Sequence, residues 1–128
     1  ITSPEQVKAL AAACETIEAH AGLTPGLLRI ELMVETTQSI VAADGRIALP
    51  ALVAAGQGRV SGAHFGTYDY TAGLAITAAH QHMGHPACDF AKHVMQVALA
   101  GTPVRLSDGA TNIMPIGPHR AAAGATLT

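Results

Sequence analysis

Glu35 and Asp69 are the residues whose type and spacing best suit chemistry in this chain. Glu35 closes a short apolar run, and Asp69 follows a second run about one βαβ step later, a unit of roughly 30 residues. Adjacent strands of a parallel sheet lie ~4.8 Å apart and end on the same edge, so residues just past those ends share a crevice. Two carboxylates brought together there repel, and a shared proton or a shared cation relieves the repulsion. Mg²⁺ or Mn²⁺ suits such a pair: it takes hard oxygen ligands, often only one or two protein carboxylates, and keeps positions open for water and substrate. The competing reading assigns both acids to helix capping, Glu35 for a helix at Thr36 to Ala42 and Asp69 for the segment from Tyr70 to Leu74.

The elements that must position the pair follow from pattern. Ser3-Pro4-Glu5-Gln6 combines an N-cap Ser, a Pro at the first helical position and a Gln three residues after the cap, and it opens a helix that Gly22 and Pro25 close. Val7, Leu10, Ala11, Cys14 and Ile17 form its expected apolar stripe. Leu28 to Val34, rich in Leu, Ile and Val, reads as a strand buried on both faces. Asp44-Gly45 is a turn, Leu49-Pro50-Ala51 opens a helix ending at Gly56 or Gly58, and Arg59 to Phe65 is a second strand. Gly62, Ala63 and Gly66 there suggest crowding against a neighbouring backbone. Pro86 opens a long helix from about Ala87 to Ala100, with Phe90, Val94, Val97 and Leu99 on or near its buried side, and Val104 to Ser107 is a third strand. This alternation predicts an α/β fold with parallel strands and covering helices. Pattern assigns no structure to Thr111 to Thr128.

Val34-Glu35-Thr36 and Phe65-Gly66-Thr67-Tyr68-Asp69-Tyr70, followed by Gly73, resemble the paired signature of the citrate lyase beta-subunit-like and class II pyruvate aldolase superfamily. That group shares its phosphoenolpyruvate/pyruvate-type barrel with malate synthases, whose second motif likewise has an aromatic on each side of the Asp. The resemblance covers Leu28 to Gly73, and His85 to Gly109 in architecture only. It implies a (β/α)₈ barrel with Glu35 and Asp69 as Mg²⁺ ligands at its mouth. A complete barrel needs ~250 residues, and this chain has 128 and begins at Ile1, so it reads as one partial domain, the C-terminal portion of a longer chain. The resemblance further implies a Mg²⁺-dependent carbon–carbon lyase or aldolase. Its substrate would be a 2-oxo acid of pyruvate or glyoxylate type, or an acyl-CoA, reacting through a metal-stabilised enolate. Backbone amides at Gly66 and Thr67, together with Asp108, are candidate substrate contacts. The family's arginine from an early strand has no counterpart here: Arg29 lies at the wrong end of its strand, while Arg105 shares a strand with Ser107. Activity of the isolated chain is therefore left open, and the alternative function is a catalytically silent barrel fragment for assembly or binding.

Other constellations are weaker. His80, His82 and His85 offer three imidazoles for Zn²⁺, but no spacing supplies a fourth ligand, and they read as polar residues of a lid. His64 reads as a hydrogen-bonded core or interface histidine. Glu31 shares parity with Met33 and Glu35, which places it inside a barrel with Arg105, or a residue from outside this chain, as its partner. No Ser lies in a GxSxG setting, which disfavours a hydrolase triad.

Composition closes off other classes. A formal charge of −2, with Phe65, Tyr68, Tyr70 and Phe90 as the only aromatics, gives neither a basic stripe nor stacking platforms for nucleic acid. No apolar run approaches the ~18 residues of a membrane span. Cys14 and Cys88 fit buried thiols in a reducing compartment, the cytoplasm. A partial sheet leaves edges that invite pairing, so a homo-oligomer or the remainder of the barrel is expected to cover them. Sedimentation of this chain alone should show association, and a well-behaved monomer counts against that expectation.

Overall fold

The computed structural model describes residues 1–111 and 123 of the chain; nearly all of the segment from Thr111 to Thr128 lies outside them. The first helix, α1 (Pro4–Ala21), starts as its capping box requires. The Ser3 hydroxyl accepts from the Gln6 backbone N–H at 3.4 Å, and the Gln6 side-chain oxygen accepts from the Ser3 N–H at 3.3 Å. It ends at Gly22, whose φ of 64° is the left-handed conformation that favours glycine.

Its buried stripe differs from the expected one. Val7, Ala11 and Cys14 are buried, but the next position inward is Glu18, while Leu10 and Ile17 remain 41% and 54% exposed. Glu18 can be buried because every lone pair it brings is met. Arg59 donates through Nη1 at 2.7 Å and Nη2 at 2.8 Å, and the backbone N–H groups of Gly26 and Leu28 donate at 2.9 and 2.7 Å.

Strand β1 (Ile30–Val34) leads through α2 (Thr37–Ile40) and α3 (Leu49–Ala55) to β2 (Val60–Phe65). From there α4 (Thr67–Gly73), a 3₁₀ turn at Ala78–His80 and α5 (Pro86–Leu99) lead to β3 (Arg105–Ser107). The three strands form one parallel sheet in the order β1-β2-β3, as the alternation predicts. A bulge at Ser61 separates the pairs Ile30–Val60 and Glu31–Gly62.

Strand β1 is not buried on both faces. Ile30, Leu32 and Val34 are buried and Glu31 and Met33 exposed, because among the described residues helices cover only one face of the sheet. The covered face, with Ala63 and Phe65 from β2, forms the core with Val7 and Ala11 of α1, Leu49 and Leu52 of α3, and Met95 of α5. The Phe65 and Tyr70 rings meet edge to face at 5.2 Å.

The stripe of α5 is also corrected. It buries Cys88, Ala91, Met95 and Leu99, with Val94 half-buried, while Phe90 and Val97 face outward at 55% and 74% exposure. The small Cys88 and Ala91 let the helix approach the sheet closely, and positions 90 and 97 share the opposite side. Both cysteines are free and buried as expected, and burial pushes the Cys88 thiol above its ordinary range.

The Arg59 guanidinium holds the Glu18 carboxyl down at about 2, against burial that pushes it up, with the Gly26 and Leu28 N–H groups assisting. Because the folded value lies below the ordinary 4.5, the pair stabilises the fold fully above that pH, and its contribution is lost as pH falls toward 2. Glu18→Gln strands the Arg59 charge and should lower Tm by roughly 10 °C or more at neutral pH. Thermal melts followed by circular dichroism should show the gap from wild type closing between pH 4.5 and 2.

Candidate functional site

The site lies at the carboxyl edge of the sheet. Val34 and Phe65 are the last paired residues of β1 and β2, and the Gly66 N–H extends the ladder by donating to the Val34 carbonyl at 2.9 Å. Glu35 is the next residue of its strand's line, and Asp69 sits in the first turn of α4, which begins directly after β2. Neither acid caps a helix. The cap of α2 is Thr36, whose hydroxyl accepts from the Ser39 N–H at 3.3 Å, and the cap of α4 is Gly66. The capping duties that would have explained both carboxylates therefore belong to their neighbours.

Glu35 is half-buried and Asp69 exposed, and neither side chain has a hydrogen-bond or ion-pair partner among the described residues. A Cβ on Gly66 would stand 2.6 Å from the Glu35 Cβ, 3.1 Å from its Oε2 and 3.4 Å from the Met33 sulfur. Gly66 thus leaves the room in which the Glu35 carboxylate lies across the end of β2. The same reasoning applies to Gly62, where a Cβ would stand 3.2 Å from the Glu31 Oε1. The crowding expected at these glycines is real, but it comes from acidic side chains of β1 rather than from a backbone.

Two hard-oxygen donors at a strand edge suit a dication that completes its shell with water and substrate. They are not a closed cage: among the described residues no group of three or more His, Cys, Asp or Glu is placed to hold a metal ion. The histidine segment forms no such cage either. His80 ends the 3₁₀ turn, the His82 and His85 rings meet edge to face at 6.0 Å, and the His85 Nδ1 accepts from the Ala87 N–H at 3.1 Å as the cap of α5.

The other expected contacts fall around the edge. Thr67 is buried, and its hydroxyl has no partner, lying against Gly109, where a Cβ would collide with it. Its side chain therefore faces inward, and with the Gly66 N–H engaged by the Val34 carbonyl, the backbone donor left for a substrate contact is the Thr67 N–H. Asp108 pairs with the Lys92 ammonium at 3.3 Å, as does Asp89, and lines a cleft of about 190 Å³ with Phe65, Lys92, Met95, Gln96, Leu106 and Ser107. Burial alone would lower the Lys92 ammonium, but its hydrogen bonds to Asp89 and Asp108 outweigh that and raise it, keeping it charged.

The uncovered face of the sheet carries a polar chain that sequence reasoning missed. The His64 Nδ1 lies 2.8 Å from the Ser107 hydroxyl, which in turn donates to the Glu31 Oε1 at 3.4 Å. Glu31 is exposed on this face and makes no ion pair with Arg105, one of the two partners expected for it; its contact among the described residues is Ser107. Arg105 occupies the same row of the sheet as Glu31, with Gly62 between them, and Ser107 is the residue that reaches across. Alternation could have shown the trio, since Glu31, His64 and Ser107 all point away from the helices. Their pairing across three strands needed the register.

A family model described as a domain of unknown function, DUF6986, matches residues 1–127. No curated protein and no solved structure matches the chain.

Gly66→Ala should destabilise the fold by about 1–3 kcal/mol in denaturant unfolding, because the added methyl meets the Glu35 Cβ rather than a flexible side-chain tip. Gly73→Ala, at a position open to solvent, should be neutral or stabilising.

Proposed function

The chain belongs to the DUF6986 domain family, and we propose that it forms the C-terminal portion of a (β/α)₈ barrel acting as a Mg²⁺- or Mn²⁺-dependent carbon–carbon lyase or aldolase. The observation that carries this reading is the freedom of Glu35 and Asp69. Both stand at the carboxyl edge of neighbouring parallel strands, where barrel enzymes keep their chemistry, and neither caps a helix or has a hydrogen-bond or ion-pair partner among the described residues. The same freedom favours the enzyme over a silent assembly module, for which helix-capping acids would be expected.

In this reading Glu35 and Asp69 hold the dication, which when bound supplies Lewis-acid stabilisation of charge developing on the oxygen of a 2-oxo acid or acyl-CoA substrate. The Thr67 N–H orients the substrate carboxylate, the Gly66 N–H being taken by the Val34 carbonyl, and Asp108, paired with Lys92, lies in the loop after β3. Helices on one face and polar side chains on the other fit a strand set whose bare face is completed by further strands of the barrel or by a second copy of the chain. No helix among the described residues is long and apolar enough to cross a membrane, and two free, buried thiols fit the reducing cytoplasm.

The test is Mn²⁺ binding to the full-length protein by calorimetry. Glu35→Gln and Asp69→Asn should each weaken binding by about tenfold or more, through loss of a ligand. Both should also abolish Mg²⁺-dependent release of pyruvate or glyoxylate. A wild-type protein that takes up no Mn²⁺ overturns the proposal.

A further inference from the structure

We infer that His64 is the proton-transfer residue of this site, taking up and returning the substrate proton through Nε2 while Ser107 and Glu31 position its ring. The inference rests on the reading of Glu35 and Asp69 as ligands of a dication, and it adds the group that moves the proton.

Three observations carry it. First, His64 is the only histidine that the described residues place on a strand; His20 and His93 lie in helices, and His80, His82 and His85 belong to the segment that leads into α5. Second, its ring is tied at one nitrogen. Nδ1–H donates to the Ser107 oxygen and the Ser107 hydroxyl donates to Glu31, an order that fixes the tautomer and leaves the lone pair on Nε2, which has no partner among the described residues. Third, the register puts it at the right level. His64 pairs with Met33 and Ser107, two residues below Gly66 on the same face, a descent of about 6.6 Å along the strand. That interval is on the order of the length of a small 2-oxo acid. A substrate anchored at the rim would present its reacting carbon toward the imidazole.

The charged groups facing His64 on the uncovered face are Glu31, acting through Ser107, Arg105 in the row below, and Glu35 at the rim.

A serine nucleophile is the obvious rival, and the order of contacts speaks against it. In a hydrolytic triad the carboxylate holds the far nitrogen of the imidazole; here it competes for the serine proton instead. In the reaction inferred, Nε2 takes a proton from the carbon beside the keto group. The C–H electron pair becomes the enolate double bond as the carbonyl electrons move onto oxygen, and reversal returns the proton. With a 4-hydroxy-2-oxo acid, Nε2 takes the hydroxyl proton, the bond between carbons 3 and 4 breaks to give an aldehyde and the enolate, and the imidazolium protonates carbon 3.

The experiment follows exchange of the pyruvate methyl protons in D₂O by NMR, with full-length protein and Mg²⁺. His64→Asn, which keeps a polar group toward Ser107, should lose about 100-fold or more of the exchange rate while Mn²⁺ affinity stays within about twofold. Added imidazole should restore part of the rate to His64→Ala. Ser107→Ala should lower the rate less, in kcat and not in the pyruvate KM, a split that a merely structural role would not produce. Exchange by His64→Asn within about threefold of wild type overturns the inference and leaves the metal reading standing. Wild-type protein that binds Mn²⁺ but exchanges nothing overturns it as well. Wild-type protein that binds no Mn²⁺ overturns the metal reading, and this inference with it.

Discussion

A parallel sheet needs cover on both faces, because its crossover helices bury each strand from either side or its strands close into a barrel. Among the described residues, helices cover one face. Helices α1, α3 and α5 seal the side that carries Leu32, Val34, Ala63 and Phe65, while Glu31, Met33, His64, Arg105 and Ser107 stand on the other with no layer above them. Much else follows from that asymmetry. It explains why β1 alternates instead of being apolar throughout, and why side chains long or polar enough to interact across strands are all found on the same surface. It also explains Gly62 and Gly66: without a second helical layer, the space above β2 is taken by the carboxyl-bearing side chains of β1.

The two edges of the sheet divide the work. On the amino side, Arg59 stands immediately before β2 and Leu28 just before β1, and both converge on Glu18 of α1, so one buried ion pair locks helix, loop and strand together. That pair needs both partners in place; alone, either charge would be an uncompensated burial. On the carboxyl side Asp108 pairs with Lys92, while Glu35 and Asp69 have no partner among the described residues. Thr36 and Gly66 take the helix caps there. Among the described residues the buried carboxylate–guanidinium pair serves stability at one end, and the partnerless acids on which the proposed site rests stand at the other.

What was legible in the sequence was largely what local chemistry decides. Ser3, Pro4 and Gln6 announce α1, Gly22 ends it, Pro86 opens α5, and the runs before Glu35 and Asp69 are strands that pair in parallel. The failures come from partners distant in the chain. Glu18 counts as polar in any periodic reading, so the stripe of α1 was drawn through Leu10 and Ile17; only Arg59 makes its burial affordable. Apolar pattern runs the stripe of α5 through Phe90 and Val97, yet the buried side holds the small Cys88 and Ala91. The Glu31–Ser107–His64 chain joins three strands, and no spacing along the sequence encodes it.

The uncovered face also bears on how the proposed site could be completed. Its outermost elements are unpaired on their far sides among the described residues: β1 and β3 are the edges of the sheet, and α1 and α5 hold Leu10, Ile17, Phe90 and Val97 outward. Exposed apolar groups on both flanking helices, polar groups on the bare sheet face and open strand edges at both ends are three different surfaces. A partner docked on a single patch would satisfy one of them. Added strands with their own helices would satisfy all three: the strands pair with the edges, their helices meet the outward apolar residues, and their inward side chains face His64 and Glu31 across a shared interior. Closure of that kind would also remove bulk water from the polar chain. Its hydrogen bonds would then act in a lower dielectric, where a tied imidazole transfers protons under tighter electrostatic control.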